Sequence, residues 1–285
     1  MAMIPDANVE GPIVQLPSLN GNQLTLMVAG VTVVADLNTI IRTPTRRLNL
    51  AEVADPTPFP GRTDPGFVNG IALADGSYDT TNGVLRADRL FLEPGEHVLV
   101  GPIANPTAAG AIVNGVNAEI TNDPRIPADL IILNEFGFPI QPSSIPADSI
   151  TAAEGYYDGN MLRAFAITVD APDAILTINP IIQPQISLMR ARAVDKDGTY
   201  RLDIRGAVTL HHSPGFQPQE IDVYRLDDNN VSTFLGRARS RRAPGTSFGK
   251  YDQEFRDLPG EPPIRIRVIN ASAANQPSAD HYVDL

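Results

Sequence analysis

The chain has 285 residues, no cysteine, and 22 lysines and arginines against 33 aspartates and glutamates, a formal net charge of −11. Missing thiols exclude a disulfide framework, a thiolate metal site and a cysteine nucleophile. The length exceeds one comfortable core, so two or three domains are expected, and a mean hydropathy of −0.09 is that of a soluble protein.

The acidity is uneven. Residues 1–185 hold 8 basic against 20 acidic side chains, a net of −12, while residues 186–285 hold 14 against 13, a net of +1. An acidic front end repels nucleic acid, whose binding rests on neutralised phosphates, so no nucleic-acid partner is expected. Met1 to Gly11 show neither the basic nor the apolar region of a signal peptide. The longest apolar run, Leu24 to Ala35, is interrupted by Gly30 and falls short of the ~20 residues a bilayer needs.

Glycine and proline are scattered without a period, and runs of β-branched residues recur between turn-forming clusters. That spacing predicts an all-β chain of sandwiches or barrels. In chain order, strands are expected from Gly11 to Val14, Leu24 to Val28, Val31 to Val34 and Ile40 to Ile41. A proline-rich loop follows from Asp55 to Gly66, then strands over Phe67–Leu73 and Val84–Leu92.

The outline then repeats. Gly101-Pro102-Ile103 matches Gly11-Pro12-Ile13 at an offset of 90, and Val113-Asn114-Gly115-Val116 matches Val28-Ala29-Gly30-Val31 at 85. Leu162-Arg163-Ala164 matches Leu85-Arg86-Ala87 at 77, each after a Tyr-Asp turn at Tyr78-Asp79 or Tyr157-Asp158. The falling offset makes the first copy 13 residues longer, with most of the excess where the proline-rich loop sits. A loop that grows on a retained fold is the natural place to look for function.

Gly30-Val31-Thr32-Val33, Asn38-Thr39 and Gly83-Val84-Leu85-Arg86-Ala87 resemble a small OB-like barrel of exported bacterial proteins of unknown function. The resemblance covers residues 9–96 and, more loosely, 99–172, where Asn117-Ala118-Glu119 replaces Thr32-Val33-Val34. It implies a fold and an extracellular, cell-surface or periplasmic setting, and no activity.

Pro180 and Pro184 break the isoleucine-rich run Ala174–Gln185, which marks a boundary. Beyond it Tyr200, Leu202 and Ile204 alternate with charged residues, as do Ile264, Ile266 and Val268. Seven strands are predicted from Ile186 to Leu285, which resembles an immunoglobulin-like or fibronectin type III sandwich. The expected organisation is a barrel over 9–98, a second over 99–180 and a sandwich over 186–285.

Chemistry-bearing patterns are sparse. His211-His212 are strand neighbours that point to opposite faces unless the chain turns at Ser213-Pro214-Gly215. Asp195-x-Asp197-Gly198 begins like a calcium loop, but position 12 is Gly206 where a glutamate is required. No G-x-S-x-G elbow or phosphate-binding glycine loop occurs, so no catalytic residue, metal or cofactor is assigned. The basic run Arg237, Arg239, Arg241 and Arg242 is the most specific charged feature, an expected docking face for an acidic protein or polymer. Taken together the sequence points to a non-enzymatic exported protein used in scaffolding, adhesion or self-assembly. The alternative is a module that binds an anionic polymer, a glycan or a metal ion.

Overall fold

A computed structural model describes residues 3–127, 132–171, 183–196, 198–227 and 229–283. The chain is nearly all β and forms two compact units. The first comprises Met1–Ile132 with Ala147–Ile167, the second Leu133–Pro146 with Thr168–Leu285. Most of the expected linker, residues 174–182, and Asp197 of the calcium-like turn fall outside the described residues.

In the first unit the chain runs β1 (Met3–Pro12), β2 (Ser18–Asn20), β3 (Gln23–Val28), β4 (Val31–Ala35), β5 (Ile40–Arg42) and β6 (Arg47–Leu48). A five-residue helix, α1 (Leu50–Ala54), precedes β7 (Ile71–Asp79) and β8 (Val84–Glu93). There follow β9 (His97–Thr107), β10 (Gly110–Val113), β11 (Val116–Ile120), β12 (Leu133–Asn134, counted with the second unit), β13 (Ile150–Tyr157) and β14 (Leu162–Val169). The first strand starts at Met3, well before the expected Gly11. Pro5 and a bulge at Asp6 (φ 53°) break the alternation that would have revealed it.

The sheet order β1-β7-β8-β4-β3-β2 includes a parallel β4–β8 pair; the second sheet runs β11-β10-β9-β13-β14-β12 with a parallel β11–β14 pair. That last pairing closes a five-stranded barrel, β9-β10-β11-β14-β13. In the first sheet β4–β8 is the counterpart of that pairing, and the bridge between Ile13 and Val28 is the counterpart of Ile103 and Val113 in β9–β10. Leu24, Leu26, Val28 and Val33 point inward with Leu85, Leu90 and Leu92, and α1 adds Leu50 and Val53 to that core. Asn49 and Glu52 start the helix as a reciprocal capping box.

The two sheets agree residue by residue. Ala29-Gly30 and Asn114-Gly115 both take positive φ, the two-residue turn that suits a right-twisted hairpin. Val33 pairs with Leu85 and Ala118 with Leu162; Ala29 N donates to Pro12 O and Asn114 N to Pro102 O, each at 3.0 Å. Those contacts reproduce the offsets of 90, 85 and 77. Gly76 faces the Arg86 carbonyl and Gly155 the Arg163 carbonyl so closely that a Cβ on either would overlap the oxygen. Gly76→Ala and Gly155→Ala are each expected to destabilise the first unit by about 2 kcal/mol, read as a drop in its calorimetric unfolding temperature.

The second unit holds two four-stranded sheets. One runs β15 (Ile186–Lys196), β16 (Thr199–Thr209), β20 (Phe248–Pro259), β19 (Arg241–Arg242). The other runs β18 (Ser232–Arg239), β17 (Glu220–Leu226), β21 (Arg265–Asn270), β22 (Ser278–Tyr282). Tyr200, Leu202 and Ile204 of one sheet meet Ile221, Val223, Ile266 and Val268 of the other in a shared core, so the pair is a sandwich. Seven strands match the expected ones within a few residues, and the two-residue β19 is added. On the outer face of the first sheet, Phe136 and Phe138 stack on Phe248 at 4.5 and 5.4 Å. Ser187 Oγ donates to Phe136 O at 2.5 Å, which ties Leu133–Pro146 to this unit.

Candidate functional site

The predicted arginine face is divided between the two sheets of the sandwich. Arg237 and Arg239 stand on β18, each opposite its register partner on β17: Arg237 to Asp222 at 2.6 Å and Arg239 to Glu220 at 3.5 Å. Arg241 and Arg242 stand on β19 in the other sheet. The crossing is made by the buried Ser240, whose N–H donates to Gln219 O at 2.9 Å and whose Oγ accepts from Gln219 N at 2.8 Å. Arg242 lies over the Phe216 ring at 4.1 Å and donates to Thr246 O, whereas Arg241 is exposed and makes no such contact with a described residue. Asp222 holds the Arg237 guanidinium firmly in its charged form.

Other arginines of the sandwich follow the same cross-strand scheme, Arg205 to Asp252 at 2.8 Å and Arg267 to Asp280 at 2.7 Å. Exposed pairs of this kind each contribute ~0–1 kcal/mol. Arg237→Ala is therefore expected to shift the unfolding temperature of the sandwich only within that range, checked by calorimetry.

The two Tyr-Asp turns prove to be hairpin caps. Asp79 accepts from Thr81 N, Asn82 N and Asn82 Nδ2 at 3.0, 3.2 and 2.7 Å; Asp158 accepts from Asn160 N and Met161 N at 2.9 Å each. The arginine of each Leu-Arg-Ala then faces the same carboxylate. Arg163 reaches Asp158 at 2.7 Å and Glu119 at 3.1 Å, whereas Arg86 stays 4.0 Å from Asp79. The Asn82 amide, the turn N–H groups and the Arg86 charge hold the Asp79 carboxyl below the usual carboxylate range despite burial. Burial pushes Asp158 up, but the Met161 and Asn160 amides and Arg163 outweigh it and hold it low.

The proline-rich loop, expected to carry function, is mortar between the two sheets of the first unit. Phe59 is buried against Phe67 and Tyr156, at ring distances of 4.9 and 5.9 Å. Tyr156 Oη donates to Pro60 O at 3.0 Å, and Gly61 packs on the Asp158 side chain so tightly that no Cβ fits between them. Arg125 caps the assembly. Its guanidinium lies 3.8 Å from the Phe59 ring centre and binds Asp123 through two bonds of 2.9 and 2.7 Å. Arg62 donates to Pro94 O and Val68 O and so fixes the other end of the loop. Phe59 and Arg125 carry this structural role, which the sequence did not reveal because Phe59 lies 66 residues from Arg125 and 97 from Tyr156 along the chain.

His211 meets the edge of the Phe248 ring, and His212 Nε2 lies 2.9 Å from Gln219 Oε1. Among the described residues no group of three or more histidines, aspartates and glutamates is placed to hold a metal ion. None of the helices among them is long and apolar enough to cross a membrane.

An open groove lies on the outer face of the first sheet. It has a volume of about 280 Å³ and is lined by Asp36, Asn38, Ser77, Arg86 and Asp88 over Val34 and Met3. Asp36 accepts from Asn38 N, and Thr39 Oγ1 donates to Ala87 O, which sets the floor of the groove on β8. The Asn-Thr turn of the sequence resemblance thus forms one wall. No protein-family model matches the chain, and no curated protein matches it.

Proposed function

We propose that the protein is a structural module of exported β domains, two OB-like barrels and an immunoglobulin-like sandwich, which works by self-association through a sheet surface. The strand order of the closed barrel is compatible with an OB-like barrel, and the sandwich places β15, β16, β20 and β19 opposite β17, β18, β21 and β22 as immunoglobulin-like domains do. The polar groups that first suggest chemistry cap turns or pair across strands, which supports a non-enzymatic role.

The observation that carries the reading is the edge strand β18. Among the described residues it pairs with β17 alone, so the backbone groups of its other edge are not bonded within a sheet. Its first half presents Val231 (60% exposed, just before the strand) and Phe234 (54% exposed), apolar groups on an open edge. Its second half is guarded by a register shift and by Arg237 and Arg239. An unguarded apolar edge is a template for pairing with another chain.

The second copy is the expected occupant. Sedimentation velocity over a concentration series should show dimers or longer assemblies of the natural chain. Phe234→Lys should leave a monomer. A natural chain that stays monomeric at every concentration, or an unchanged sedimentation of the Phe234→Lys variant, would overturn the reading.

A further inference from the structure

The groove on the first barrel occupies the same place as a site that is already filled on the second. Gly76 and Gly155 sit in the same local geometry against β8 and β14, so Ser77 corresponds to Tyr156 and Asp79 to Asp158. Leu85 and Leu162 hold the same parallel register, so Arg86 corresponds to Arg163 and the bulged Asp88 to Phe165.

On the second barrel this patch receives a peptide. Tyr156 Oη donates to Pro60 O, Gly61 rests on Asp158, and Tyr156 and Phe165 are buried in one cluster with Phe59. On the first barrel the patch is bare and its chemistry has changed. Ser77 and Asp88 stand where the aromatic residues would be. The side chains of Asn38, Ser77 and Asp88 bond to no described residue, and Arg86 is 54% exposed and only loosely held by Asp79. These side chains are exposed or half-exposed and hydrated, and the groove gathers them on one surface where the polar groups of a partner can replace that water.

We propose that this groove is a peptide-docking site that takes an extended, hydrophilic loop of a partner protein carrying a basic side chain. The occupied twin on the second barrel fixes the ligand class as an extended loop whose carbonyl accepts a side-chain hydroxyl bond. Charge fixes the rest, because two carboxylates, Asp36 and Asp88, outnumber the one guanidinium of Arg86. A basic side chain in the place of Phe59 meets Asp88 in the place of Phe165, and the shorter Ser77 hydroxyl donates to a loop seated closer to the sheet than the one under Tyr156. The groove is shallow and polar, so the affinity of a short peptide is expected in the millimolar range, about 10⁻³ M.

The test uses the full chain and a synthetic, end-blocked peptide of residues 57–63 bearing the substitution Phe59→Lys. Followed by amide NMR up to about 5 mM peptide, the expected shifts cluster at Asp36–Thr39, Ser77 and Arg86–Asp88 and fade as salt is added. Asp88→Lys should weaken binding at least about fivefold, while Arg190→Gln on the sandwich should leave it unchanged. The unsubstituted peptide should bind more weakly than the lysine form. Absence of shifts, shifts elsewhere, equal binding by Asp88→Lys, or tighter binding of the unsubstituted peptide would each overturn the proposal. So would shifts at the groove with maltotetraose and none with the peptide, which would make it a saccharide site. Sedimentation, which tests self-association, is a separate readout.

Discussion

Arg125→Leu should destabilise the first unit by about 3–5 kcal/mol, because it leaves the Asp123 carboxylate buried without its cation. Both side chains are almost fully enclosed, at 4% and 6% exposure, and the two bonds between them are short and nearly parallel. The guanidinium also covers the Phe59 ring, so leucine loses a cation–π contact as well as an ion pair. The neighbouring backbone supplies the control. Asp123 Oδ1 also accepts from Arg125 N at 2.9 Å, a bond that asparagine retains. Asp123→Asn combined with Arg125→Leu should therefore recover most of the loss, since no bare charge remains. Calorimetry of the single and double variants checks this. Equal losses in both would mean that packing on Phe59, and not the stranded carboxylate, sets the cost.

Glu93→Gln should act in the opposite direction and only above acidic pH. Glu93 closes β8 just before the Pro94-Gly95 connection, with Glu96 and Glu154 near it and Arg42 as the opposing charge. Burial, reinforced by the two like charges, pushes its carboxyl up from 4.5 to about 7. His97 also lines this connection, through its Nδ1 contact with Tyr157 N at 3.3 Å. A carboxyl whose pKa is higher in the folded chain binds more protons there than in the unfolded chain. Stability is therefore lowest above pH 7, rises as the pH falls through 7, and levels off near the unfolded value of 4.5. Part of the site is open to solvent, so the penalty at pH 8 is on the order of 2 kcal/mol after screening is allowed for. The glutamine variant should be more stable than the natural chain at pH 8 and indistinguishable from it near pH 4.5. Unfolding temperatures measured from pH 4.5 to 9 would show converging curves; parallel curves would assign the transition to other groups.

The two arguments share a location. Arg125, Phe59, Tyr156, Pro94 and Glu93 all lie where the two sheets of the first unit are joined. The sheets themselves rest on repeated local devices, and the joint between them rests on a few long-range polar contacts. Such contacts are costly to leave half-made, which is why the largest effects are expected there.

Much was written in the sequence. Alternating apolar residues from Leu24 to Val28 and from Tyr200 to Ile204 gave the strands, because a half-buried strand has a period of two. Gly30 and Asn114-Gly115, marked in the sequence as part of the repeat, sit at the hairpin turns, because glycine and asparagine accept positive φ. The matched offsets of 90, 85 and 77 reappear as matched hydrogen bonds, since register is a local property carried by turns and bulges. The Leu-Arg-Ala repeat is a fold signature for the same reason: its arginine and the preceding aspartate belong to one hairpin.

Tertiary structure alone decided what those surfaces meet. Nothing near Asp55–Gly66 in the sequence announces that Phe59 would be buried under Arg125, so an apparent functional insertion turns out to be the mortar of the first unit. The arginine run reads as one face in a continuous strand, but the chain changes sheets at Ser240, a crossing fixed by Gln219 twenty-one residues away. The two Tyr-Asp/Leu-Arg-Ala motifs look interchangeable as strings, yet one is covered by a loop and the other lies open. Periodicity and turn chemistry act between near neighbours and are legible in order along the chain. Burial, pairing of charges and the vacancy of a groove depend on which distant segments arrive beside them, and only the folded molecule settles that.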